Sequence, residues 1–164
     1  MAYLLDANVF IQAKNLHYGM DFAPGFWAWL IQAHGTGRVH SVEKVGDELK
    51  AGGDDLATWA MARPTTFFEP AGAVDTTSLS TVATWVTQQN YEPAAVSTFL
   101  QVADFYLVAQ ALTGGHTVVT HEVFSPSVKK IKIPNVCLGV GVRYVTTYEM
   151  LRAEKIRLVL APSA

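Results

Sequence analysis

The chain is poor in cysteine, in charge and in long apolar runs, and each shortage excludes something. Cys137 is its single cysteine. An internal disulfide is therefore impossible, and a cysteine-based zinc site is not expected. The five histidines, at positions 17, 34, 40, 116 and 121, include no metal-ligand pair at helical spacing. No apolar stretch approaches the roughly 20 residues of a membrane span. The opening Met-Ala-Tyr-Leu-Leu-Asp has no basic region before its apolar run and carries Asp6 inside it, which argues against a signal peptide. These absences predict a cytoplasmic protein in a reducing compartment. Charged residues make up only 16% of the chain while half of it is hydrophobic, which excludes disorder and predicts one packed domain over 1–164.

What charge there is lies unevenly. Residues 1–128 carry a net −7 and residues 129–164 a net +5. An acidic body with a basic C-terminal segment suits an anionic partner or a self-complementary assembly, and it also fits ordinary surface charge. Lys129, Lys130 and Lys132 suit either RNA phosphates or a solvated loop. Tyr144, Arg152 and Arg157 are candidates for a homodimer interface.

Turn and cap signals divide the chain into alternating strands and helices. Strands are predicted at Ala2–Leu5, Thr66–Phe68, Thr117–Thr120, Asn135–Cys137 and Arg143–Val145. Helices are predicted over Asn8–Ala13, from Pro24 to the Gly35-Thr-Gly37 break, and from a Ser41 cap through Lys50. Further helices run from Asp54 or Asp55 through Met61, from Asp75, and from Pro93 into a segment closed by Gly114-Gly115. Thr146-Thr-Tyr-Glu149 reads as a capping box for a last helix. Strands separated by helices imply a three-layer α/β/α sandwich around a mostly parallel sheet.

Asp104 stands out in this pattern. It is the only Asp, Glu, Lys or Arg between Glu92 and Glu122, inside Val102-Ala-Asp-Phe-Tyr-Leu-Val-Ala-Gln-Ala-Leu112. A carboxylate on a buried helix needs compensation. Asp6 directly follows the first strand and Glu122 closely follows the Thr117–Thr120 strand. In a parallel sheet both would reach the carboxyl edge, where such folds bind ligands. On the Ser41–Lys50 helix, Val42, Val45 and Leu49 mark the apolar stripe. At about 100° per residue, Glu48 falls roughly 90° from its centre, Glu43 about 130°, and Asp47 nearly opposite. Glu48 is thus best placed to lean into a cleft, with Glu43 as the substitute if the helix is phased differently. Each acid has an ordinary alternative: Asp6 as an N-cap, Glu48 as a surface acid, Glu122 as a loop acid. Together they make an all-oxygen set that suits Mg²⁺ or Mn²⁺ and, through the ion, phosphate chemistry. Asn8 and Thr120 can support such a site.

Tyr3-Leu-Leu-Asp-Ala-Asn-Val-Phe-Ile11, Val45-Gly-Asp-Glu-Leu49, Ala103-Asp-Phe-Tyr-Leu-Val-Ala-Gln-Ala111 and Val118-Val-Thr-His-Glu122 occur in this order along the chain. The ordered set resembles the PIN-domain ribonucleases. Lys132-Ile-Pro-Asn-Val-Cys137 and Thr147-Tyr-Glu-Met-Leu151 resemble a PIN-like subgroup near VapC-type toxins. The resemblance implies an α/β/α sandwich and metal-dependent RNA cleavage. It also implies a toxin role beside an antitoxin protein. It makes Asp6, Glu48 and Asp104 the main metal acids and Glu122 the fourth, where many members have Asp. The Lys14–Pro24 segment, with His17 and Tyr18, stands as an insertion.

Two rival readings remain. Asp6-Ala-Asn-Val-Phe10 superficially resembles a phosphohydrolase motif with Asp6 as covalent nucleophile, but Asn8 stands where that motif has its second Asp. A non-catalytic PIN-like module binding RNA or protein is the other. Most of the four tryptophans are expected in the core rather than stacked on bases, and His121 is expected to be a surface or hydrogen-bonding histidine rather than a general base.

Overall fold

The computed structural model describes residues 1–163. Among these, five strands form one sheet: β1 (Tyr3–Leu5), β2 (Val39–Val42), β3 (Phe68–Glu69), β4 (Thr117–Val119) and β5 (Arg143–Val145). Their order is β3-β2-β1-β4-β5, and every neighbouring pair is parallel. β1 is central, with Tyr3 opposite Val39 on one side and Thr117 on the other. All its residues are buried, as expected for an inner parallel strand covered on both faces.

Helices make the crossovers. They are α1 (Ala7–Gln12), α2 (Pro24–Gly35), α3 (Glu43–Lys50), α4 (Asp55–Met61), α5 (Thr76–Gln88), α6 (Pro93–Phe99), α7 (Ala103–Gly114), α8 (Ile133–Val140) and α9 (Thr147–Ala153). α7 packs on β2, β4, α5 and α8. α1, α2 and α4 meet through an aromatic cluster in which Phe10, Trp27 and Phe67 surround Trp59. The result is a three-layer α/β/α sandwich. Trp27 and Trp29 are buried, and Trp59 and Trp85 pack against the core. No single helix among the described residues is long and apolar enough to cross a membrane.

The caps explain most helix starts. Asp54 accepts the Ala57 amide at 2.9 Å and Asp75 the Thr77 amide at 3.0 Å. Thr146 and Glu149 form the reciprocal capping box of α9. Gly115, at φ 65°, terminates α7 in the left-handed region.

Two expectations are corrected. Ser41 does not cap α3. It lies in β2, where its hydroxyl donates to the Leu5 carbonyl at 2.6 Å, and α3 begins at Glu43. Asn135–Cys137 is not a strand. Pro134 sits in the first turn of α8 and Gly141 ends that helix at φ 79°; the apolar side chains that suggested a strand are its buried face. The Lys14–Pro24 insertion also has an unforeseen shape. Ala13–His17 forms a π-helical turn continuing α1.

Candidate metal centre

Parallel strand order brings the carboxyl ends of β1 and β4 together. Asp6 follows β1, and its amide donates to the Val119 carbonyl at 3.0 Å. Its side chain is only 3% exposed. Asp6 takes the N-cap position of α1, yet its carboxylate makes no capping hydrogen bond. Its partners are the Thr120 hydroxyl and the nearby Asn8 amide. Thr120, itself buried, donates its hydroxyl to Asp6 Oδ2 at 3.1 Å. The same hydroxyl oxygen accepts the Glu122 amide at 3.0 Å. Thr120 therefore links two of the predicted acids. Asn8 is exposed; its backbone amide, near Asp6, opposes the upward shift of that carboxyl.

Asp104 lies in the first turn of α7 and is half-buried. Its helix position is favourable for a carboxylate, since unpaired amides point toward it. Glu48 is on the exposed side of α3. Gly46 sets the height of that helix. A Cβ there would lie 2.7 Å from the Phe68 ring, so only glycine lets α3 settle this closely on β3. Glu43 is committed elsewhere, accepting the Ala71 amide at 3.1 Å. Glu48, by contrast, is among the charges that act on Asp104.

The electrostatics of these acids are coupled. Burial, then the charges of Asp104 and Glu122, push the Asp6 carboxyl up to about 7. Burial, then Glu122 and Glu48, push Asp104 up to about 6, against the opposing pull of Lys130 and Lys132. Like charges thus press on one another at the sheet edge, as happens when carboxylates share a site. Glu122 departs from expectation. Its Oε2 pairs with Lys132 Nζ at 3.2 Å, and the Ile133 amide donates to its Oε1 at 3.4 Å. The start of α8 thereby holds Glu122 by a cation and an amide.

Among the described residues, no three His, Cys, Asp or Glu side chains are gathered closely enough to enclose an ion as they stand. Carboxylates bearing like charge stand apart unless a cation or protons draw them in. The donor set nonetheless suits a hard divalent cation. It is all oxygen, it includes a buried aspartate with no capping role, and its charge is only partly balanced.

A cavity of about 760 Å³ opens beside these acids. Glu48 and Asp104 line it, with Lys44, Lys130, Phe99 and Ile131. Among the described residues, Asp6 and Glu122 do not line it. Its lining is largely apolar, and on its charged rim Lys44, Lys129 and Lys130 stand against Asp47, Glu48 and Asp104. Lys44 Nζ also lies 4.8 Å from the Tyr106 ring centroid, which steadies that rim.

Sequence reasoning missed the Lys132–Glu122 pair and the surroundings of His121. The ring nitrogen Nε2 of His121 is 3.1 Å from the Thr147 hydroxyl. Burial and the nearby His17 push its pKa down. The signal for this contact is the position of His121 between Thr120 and Glu122, which places it at the same edge.

No curated protein and no solved structure matches the chain. A family model does, over residues 3–158: the chain belongs to the family described as domain of unknown function DUF4411.

Proposed function

We propose that this chain is a PIN-like, divalent-metal-dependent endoribonuclease that hydrolyses phosphodiester bonds of RNA. One observation carries the reading. Buried Asp6 has no capping bond and is pushed up to about 7 by burial, Asp104 and Glu122. A fold gains no stability from such repulsion, so a charged ligand explains it best.

In this reading Asp6, Asp104 and Glu48 hold Mg²⁺ or Mn²⁺, and Glu122 contributes the fourth acid. When bound, the ion activates water and stabilises charge on the phosphate. Thr120 orients Asp6 through Oδ2. Lys44, Lys129 and Lys130, around the 760 Å³ cavity, attract the RNA backbone. Lys132 screens Glu122 from its neighbours. The role of toxin beside an antitoxin protein, in the cytoplasm, extends the same reading. Its test is growth arrest on expression that a neighbouring gene product relieves.

Cleavage of single-stranded RNA with Mn²⁺, abolished by chelator and by Asp104→Asn, is the expected result. Full cleavage by Asp104→Asn would refute the site. A second reading, a non-catalytic PIN-like RNA- or protein-binding module, rests on the Lys132–Glu122 pair, which neutralises one acid without an ion. Absence of Mn²⁺ binding would favour it. Asn8, standing where a covalent-nucleophile motif has its second Asp, weighs against the use of Asp6 as a nucleophile.

A further inference from the structure

The insertion after α1 builds a second feature at the carboxyl edge. His17, His121 and Tyr148 form a triangle of rings. Their centroids are 5.8 Å apart for His17–His121, 5.7 Å for His17–Tyr148 and 5.9 Å for His121–Tyr148. Each comes from a different element: the π-helical turn, the loop after β4, and the start of α9. π-helical turns inside helices occur frequently at functional sites.

The triangle is held from both sides. Tyr18 stacks on Phe26 at 4.5 Å and 11°, and its carbonyl accepts the Trp27 indole N–H at 2.7 Å. These contacts anchor the residue after His17 to α2. On the other side, Thr147 contacts His121 and the capping box fixes the helix start beneath Tyr148. The rings are therefore set before any ligand arrives, which lowers the entropic cost of binding.

Core packing does not account for these rings. His17 is exposed, and Tyr148 is 37% exposed. Val123 and Phe124, just after Glu122, are exposed too. Arg152 lies one turn beyond Tyr148 on α9 and is exposed, so a cation shares that flank. His121 stands between Thr120, which binds Asp6, and Glu122. The triangle thus stands at the same sheet edge as the acids, joined to them through the chain at Thr120–Glu122. The rings meet at 47°, 79° and 54°, and His17 and Tyr148 keep exposed surface beside the Arg152 cation. Exposed aromatic surface next to a cation matches the chemistry of unpaired nucleobases.

We propose that His17, His121 and Tyr148 form a ledge on which one unpaired base of an RNA strand stacks, beside the phosphate held at the acids. The ledge rests on the RNA reading above. It requires an unpaired base, because bases inside a duplex keep their faces covered.

The test is binding of a fluorescein-labelled single-stranded RNA by anisotropy, in an Asp104→Asn background. Tyr148→Ala and His17→Ala each weaken binding by about tenfold, the scale of one lost base stack. Tyr148→Phe and His17→Phe bind like the parent, which separates lost stacking from misfolding. A single abasic position in the RNA erases the difference between parent and Tyr148→Ala. Equal binding by the alanine variants overturns the ledge, as does an equal loss on fully paired RNA or no RNA binding by the parent. Cleavage by the wild-type chain with Mn²⁺ is scored separately. Cleavage with normal binding by the ledge variants removes the ledge and keeps the nuclease. Weakened binding without any cleavage keeps the ledge and removes the nuclease.

Discussion

Two buried polar clusters share this sheet, and they differ in sign. At the carboxyl edge, burial and the neighbouring acids raise the proton affinity of Asp6 and Asp104. Around β2, buried His40 lies near His34, His116 and Glu69. Burial, then His116 and His34, push His40 down to about 4. Its Nε2 is 3.6 Å from Glu69 Oε1, but neutral imidazole makes this a contact between polar groups rather than an ion pair. Burial pushes Glu69 up as well, and the Gln110 side chain donates to its carboxylate. The β2 cluster avoids like charge because His40 stays neutral, although His40 Nε2 and Gln110 Oε1 are buried without hydrogen-bond partners. At the acids, charges of the same sign add to burial; Lys130 and Lys132 oppose them at Asp104, and the Thr120 hydroxyl and Asn8 amide oppose them at Asp6. Burial of polar groups is common to both. Concentrated charge of one sign, at an edge where ligands bind, is what distinguishes a candidate site.

The largest effect falls on the acids. Asp104→Asn should lower RNA cleavage by more than about a hundredfold, the upper range for losing even an outer-shell metal partner. Activity within a few-fold of wild type would break the contrast between the clusters.

Stability should then respond to pH in opposite senses. The folded-state pKa of Asp6 is raised, so its contribution to stability is intact below its ordinary 3.8 and lost as pH rises through about 7. Without metal, Asp6→Asn should therefore be more stable than wild type at pH 8, by up to about 4 kcal/mol, read as a higher melting temperature. The gain should vanish at pH 4. For His40 the folded pKa is lowered. Its contribution is intact above its ordinary 6.5 and lost as pH falls toward about 4. His40→Leu should flatten this acid limb in a thermal melt while leaving the alkaline limb in place. Loss of both limbs together would merge the clusters into one electrostatic unit.

The smallest effect belongs to Lys132→Ala. It frees Glu122, and the half-exposed pair should cost less than about 1 kcal/mol in the metal-free protein. Added Mn²⁺ should restore more stability to this variant than to wild type, because the ion replaces the missing cation.

Local chemistry made much of this legible. Asp54, Asp75 and Thr146 announced their helices, and Asp104 announced itself as a lone charge on an apolar segment. Residues near in sequence to a strand end, Asp6 and Glu122, followed from parallel topology. β2 was hidden because an inner parallel strand is buried on both faces and loses the alternation that betrays other strands. Its Ser41 then resembled a cap, although the hydroxyl is spent on Leu5. α8 was mistaken because a short apolar run has no period long enough to separate helix from strand. The π-helical turn leaves no local signature, and the pairing of Glu122 with Lys132 depends on where the loop before α8 comes to rest. The tertiary course of the chain decided both.

The central claim is that the repulsion among Asp6, Asp104 and Glu122 is relieved by a divalent cation. Calorimetric titration of the wild-type chain with Mn²⁺ at pH 6.5, in buffers of differing ionisation enthalpy, tests it most directly. Saturable binding accompanied by proton release, both lost in Asp104→Asn, is the expected result. Absence of binding, or binding unchanged by Asp104→Asn, would contradict it.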